Sequence, residues 1–341
     1  MRHEGGRSRR VNLTNILTEQ PELYYFGKFP ARGDFVRSNT GSGLMNVFDQ
    51  WISLALDMLA PDPRWKLNYD AATPVRFMFV GTRSRAVVAG VLTPSMDSSE
   101  RRFPFILATQ FQVDRPLDFS SLAPLRLSRC WQSAELLGLR ARQAASDEAF
   151  LSAIGPHPEG LQLDGSHDER LFAEWLQVQT IEQIDRELRT TWPEFSLRRT
   201  ALALGVLLQP VIAKGATNLN KGLMFPLPSR ADTNAYLASF WLGLVAGFLQ
   251  RHEFELSALL SRRGDQSVLL VGFSGAASEA LAAVVSPDVA EDYLIDIADA
   301  EWVEEHLDSD AGCRKLASYA DHPQLSLAQL RITFNEVFLG L

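Results

Sequence analysis

The sequence predicts an α/β protein of the α+β type: a mainly antiparallel sheet flanked by helices, with a helical or mixed C-terminal part. Three observations carry this. Three apolar strands follow one another between residues 75 and 111 on short links, and parallel pairs need crossovers of a dozen or more residues. Around them, apolar residues recur at helical spacing against polar neighbours. A hairpin pattern returns at residues 256–273 and is expected to extend or pack against the same layers.

The chain has 341 residues, enough for one large or two ordinary domains. Hydrophobic content of 46% with 22% charged residues places it among globular proteins. The net charge of −8 divides unevenly, +4 over residues 1–150 and −12 over the remainder. That acidic balance argues against a nucleic-acid partner, whose phosphates call for clustered Lys and Arg. Cys130 and Cys313 are the only cysteines, which writes no disulfide framework and fits a reducing compartment.

In order along the chain, residues 1–22 read as a mobile basic tail, because no apolar run follows Arg2, Arg7, Arg9 and Arg10 as in a secretory signal. Tyr24–Phe26 reads as a short aromatic strand that breaks at Gly27. Lys28, Arg32 and Asp34 follow between the turn formers Pro30 and Gly33. This loop either presents fixed charges to a partner or merely turns the chain into the next helix, with Asp34 or Asn39 as its cap.

Leu44, Val47, Phe48, Trp51, Ile52, Ala55 and Leu59 form the apolar stripe of that helix, stopped by Pro61 and Pro63. Val75–Val80, Ala86–Leu92 and Phe103–Phe111 are the meander, with a polar loop from Thr93 to Arg102 before its third strand. Residues 122–154 turn helical, and a linker-like stretch at 155–168 separates an N-terminal α/β domain (23–154) from a C-terminal mixed part (169–341).

In that second part, residues 168–192 read as helical and 194–210 as either strand or buried helix. Leu223–Phe225 is a short strand ended by Pro226 and Pro228. Ala235–Gln250 is an apolar helix too short for the ~20 residues of a membrane span. A cytoplasmic location is expected. A hairpin (256–273), a helix from Gly275 to Val285 and a C-terminal helix capped by Ser326 complete the chain. Between the last two, Glu291–Asp310 holds nine acidic residues and no basic one, and is expected to be a solvated helix face or a docking surface.

Little in the sequence points to catalysis. The six histidines never pair at helical spacing, so neither metal nor cofactor is expected. Residues 215–222 lack the Ser or Thr that follows the lysine of a phosphate loop. One pattern fits an enzyme: Val268–Phe273, Ser274 and the following helix have the strand–serine–helix order of a hydrolase nucleophile elbow. His306 or His322 would be the base and Asp299 its orienting group. The second glycine is misplaced at Gly275, however, and a serine there more often caps the helix.

Residues 27–36, Gly-Lys-Phe-Pro-Ala-Arg-Gly-Asp-Phe-Val, resemble the N-terminal signature of the TagF family (also called ImpM), associated with bacterial type VI secretion. In the family's order follow Phe48-Asp49-Gln50-Trp51-Ile52, Arg76-Phe77, the run Gly90 to Asp97, and Arg101 with Phe103-Pro104. Glu100 and Arg102 depart from the pattern, placing charge where the family is more neutral.

The resemblance implies a post-translational repressor that engages a forkhead-associated scaffold protein at the base of the secretion apparatus, other base components being further possible partners. It implies no catalytic residues. The expected partner-binding residues are Lys28, Arg32, Asp34, Asp97, Glu100, Arg101 and Arg102, on two loops suited to a polar protein contact.

Overall fold

A computed structural model describes residues 22–154, 165–214, 219–307 and 310–341. Residues 1–21 of the expected tail and most of the linker-like stretch (155–164) lie outside the described residues, and Glu22, the last residue of that tail, belongs to a strand.

The mixed α/β architecture and mainly antiparallel sheet are as the sequence predicts. The N-terminal strands are β1 (Glu22–Gly27), β2 (Val36–Arg37), β3 (Val75–Gly81), β4 (Ala86–Thr93) and β5 (Phe105–Gln112). The later ones are β6 (Gly222–Leu227), β7 (Glu255–Arg263), β8 (Gln266–Gly272) and β9 (Leu294–Asp296). They form one nine-stranded sheet in the order β2-β1-β5-β4-β3-β7-β8-β6-β9. Every pairing is antiparallel except β6 with β9. The hairpin of β7 and β8 thus continues the N-terminal sheet, through the register Arg76↔Leu260 to Gly81↔Glu255.

Alternation along β3 sets the two faces. Phe77 and Phe79 point to one side, where Trp51 and Phe48 of α1 (Ser42–Leu59) meet them. The Trp51 indole N–H donates to the Ala277 carbonyl at 3.0 Å, just before α10 (Ser278–Val285) on that same face. Arg76 points to the other side and meets Glu135 of α4 (Ser128–Arg142). That side is also covered by α9 (Ala231–Leu249), whose Trp241 stacks on Phe225 of β6. The α9 core residues Leu237, Phe240, Trp241, Leu244 and Val245 are fully buried, which is why its composition is apolar all round.

Several local expectations are met. Ser326 caps the last helix (Leu327–Leu339) in a capping box with Gln329. The ambiguous segment after residue 194 is helical, Leu197–Lys214. Pro226 sits inside β6 beyond the end of β9 and turns its carbonyl to the Trp241 indole N–H, so no third strand requires the missing N–H. No helix among the described residues is long and apolar enough to cross a membrane.

Others are corrected. α1 is preceded by Gly41 in the left-handed conformation (φ 73°), neither Asp34 nor Asn39 caps it, and Val47, expected on its buried stripe, is exposed. A short helix α2 (Trp65–Ala71) occupies a segment the sequence analysis leaves unassigned. The acidic run is not one helix face. It comprises part of a helix (Pro287–Tyr293), strand β9 and a 3₁₀ helix (Glu301–His306), because Leu294, Ile297 and Val303 are each drawn into the core.

Candidate functional site

The two charged loops meet at one corner of the sheet. Strand β1 runs beside β5, and the chain leaves β1 at Gly27 with φ 131°. A Cβ there would lie 2.1 Å from the Pro104 carbonyl oxygen, so only glycine lets the first loop pass this close to the start of β5. The second loop, Met96 to Arg102, closes as a hairpin. Met96 bridges Arg102, the Asp97 N–H donates to the Arg101 carbonyl, and Glu100 takes φ 61° at the tip. The Ser98 N–H then donates to the Arg32 carbonyl at 2.9 Å, joining the two loops through backbone.

Asp97 is the centre of this corner. Its side chain is fully buried, and Oδ2 accepts from Lys28 Nζ at 2.9 Å and from Arg101 Nε at 2.7 Å. Oδ1 accepts from the backbone N–H groups of Ser99 (2.9 Å) and Arg101 (3.0 Å). Burial by itself works to raise the pKa of this carboxyl. The Lys28 ammonium, the two backbone donors and the Arg101 guanidinium outweigh it and hold the group far below the usual carboxylate range. The same Arg101 guanidinium donates to the Gly33 carbonyl at 2.6 Å, so one arginine ties Asp97 to the first loop.

An aromatic bed lies under the charges. Phe26, Phe35 and Phe103 pack with ring centroids 4.8–5.7 Å apart, and Lys28 Nζ stands 4.9 Å from the Phe35 ring centroid. On the flank, Arg102 makes a two-pronged pair with Asp70 of α2 at 2.8 and 2.6 Å. The neighbouring Tyr69 hydroxyl donates to the Ser95 carbonyl and accepts from the Ser95 N–H, both at 3.0 Å. Asp70 and Tyr69 were not anticipated; their only sequence signal is the aromatic spacing of Trp65 and Tyr69, one helical turn apart.

The seven residues expected to bind a partner therefore divide. Lys28 and Asp97 are buried against each other and hold the corner together instead of facing outward. Arg32, Asp34, Glu100 and Arg101 are exposed, and Arg102 is half-buried against Asp70. Asp34 uses Oδ1 to accept from the Phe35 N–H at 2.7 Å, which sets the direction of its loop.

Ser274 lies elsewhere. It is exposed and bridges Glu255 beyond the end of β8, while α10 begins only at Ser278, so Ser274 does not cap it. Among the described residues no hydrogen bond joins Ser274 to His306 or His322. His306 lies edge-on to Trp302, with ring centroids 5.4 Å apart.

Comparison with known proteins bears on the same region. No curated protein matches the chain. Among solved structures, the crystal structure of PA0076 from Pseudomonas aeruginosa PAO1 is similar at 24% identity and a TM-score of 0.35, over 40% of this chain and 64% of that one. Residues 24–155 match the family model described as the TagF N-terminal domain, Type VI secretion system-associated. The part of the chain that builds the corner is thus the part that is similar to the TagF N-terminal domain, and the match ends at residue 155.

Proposed function

We propose that the chain is a cytoplasmic, non-enzymatic negative regulator of type VI secretion. It acts after translation by gripping a forkhead-associated scaffold protein at the base of the apparatus. The observation that carries this reading is the division of labour at the corner. Lys28, Asp97 and the backbone of 98–101 form a buried, bonded base, and the loop backbone tied to it carries the exposed residues Arg32, Asp34 and Glu100. A loop backbone that is already anchored loses little entropy on binding, and mixed signs specify orientation more than raw affinity.

The test is a pull-down of the forkhead-associated partner by the Arg32→Glu, Asp34→Lys double variant, with thermal melting as the fold control. The reading expects lost capture at an unchanged Tm. Equal capture by both proteins would reject it. An ester-substrate screen with Ser274→Ala as control is expected to show no turnover that depends on that serine.

A further inference from the structure

On the face of the sheet opposite α1, an open cleft of about 710 Å³ lies between α4 and the end of β6. Helix α4 supplies one wall through Gln132, Glu135, Leu136, Leu139 and Arg142, spaced so that all fall on one side of it. The floor is Arg76, Leu260, Arg262 and Ser267 from β3, β7 and β8, and the far wall includes Leu227 and Asn234.

Leu136 and Leu139 are 58% and 52% exposed, an apolar pair on α4 that no other element among the described residues covers. The charges of the cleft are unbalanced. Glu135 is neutralised by its two-pronged contact with Arg76 at 2.7 and 2.9 Å. Arg142 and Arg262 are exposed and have no carboxylate partner among the described residues, in a chain whose net charge is −8. Arg262 reaches only the Asp265 carbonyl, at 3.3 Å.

We infer that this cleft is a second docking site, which takes a peptide segment of a partner protein that carries acidic and aliphatic side chains together. The leucines offer contact for an aliphatic side chain, and the two arginines offer charge-assisted bonds to carboxylates. A segment of chain fits better than a small ligand. Small-molecule sites bury most of their ligand, whereas this cleft is open along one side with its leucines half in solvent. The inference goes beyond the corner reading and uses none of its residues.

The experiment selects a random peptide library displayed on phage against the full chain, then measures the enriched peptides by fluorescence anisotropy. Peptides pairing Asp or Glu with Leu, Ile or Val are expected. Their affinity should fall about tenfold or more for Arg142→Glu with Arg262→Glu, a pair exposed enough to leave the fold intact. Leu136→Ser with Leu139→Ser should weaken the same peptides, whereas Arg32→Glu with Asp34→Lys should not, which separates this site from the corner.

No enrichment, enrichment of basic or purely apolar peptides, or equal binding to the arginine variant would overturn the inference. So would a concentration-dependent dimer of the chain abolished by the arginine variant, which would make a second copy the occupant. Binding of anilinonaphthalene sulfonate that is lost in the arginine variant, yet is not displaced by the selected peptides, would equally overturn it in favour of a small anion.

Discussion

Two regions of this chain are conspicuous for charge, and they use it in opposite ways. At the corner, a carboxylate sits fully buried and each of its oxygens is satisfied by two donors. In the described part of the acidic run 291–310, charges stay near water and lean on a neighbouring helix. Glu304 meets Arg198 at 2.5 Å, and Glu301, 73% exposed, meets Arg199 at 3.2 Å. Asp296 is the exception there. Burial raises its pKa, and the Ala298 N–H at 2.9 Å, the Arg263 charge and the Asp299 backbone do not offset that. Charge density in a sequence is therefore a poor guide to role. What matters is whether the fold supplies donors at the depth where the charge ends up.

The contrast is broken most strongly at Asp97. Asp97→Ala leaves the Lys28 ammonium buried without a counter-charge, and is expected to cost about 3–5 kcal/mol in denaturant-unfolding free energy. Loss of less than ~1 kcal/mol would mean the pair is solvated in solution.

The sign of the pH dependence sharpens the same contrast. The folded pKa of Asp97 is depressed, so its contribution to stability is complete above the unfolded value of ~3.9 and is lost as pH falls toward the folded value. Asp296 is raised, so its ionisation weakens the fold as pH climbs from ~3.9 through the higher folded value. At pH 7, Asp97→Asn is expected to destabilise the protein and Asp296→Asn to be neutral or stabilising. Thermal melts between pH 3 and 8 read both slopes.

The smallest effect belongs to the solvated pairs. Glu301→Ala is expected to change stability by no more than about 1 kcal/mol, and 0.5 M salt should remove most of that difference.

Much of the fold can be read from the sequence where the signal is local. The β3–β4–β5 meander shows in alternation on short links, α1 in its apolar stripe, and α9 in a run too apolar for anything but the core. What escaped was long-range or very short. That the 256–273 hairpin extends or packs against these layers is expected, but its pairing with β3 joins residues some 180 positions apart, and no local pattern gives that register. Strand β9 is three residues long inside an acidic run, and its burial comes from lying beside β6 rather than from its own pattern.

The candidate site divides along the same line. The turn residues Gly27, Pro30 and Gly33 announce a stiff charged loop. That Lys28 would be buried against Asp97, 69 residues later, is a tertiary fact invisible to spacing. Lys is so rarely buried that composition argued for exposure, and the compensating carboxylate is what reverses the expectation.

The claim on which the rest depends is that Asp97 holds both loops of the corner in one shape. Amide hydrogen exchange of Asp97→Ala under native conditions tests it most directly. The account predicts that the amides of Ser98, Ser99, Arg101 and Arg32 lose protection together while those of β3 and β4 keep theirs. Wild-type protection at all four loop amides in the variant would contradict it.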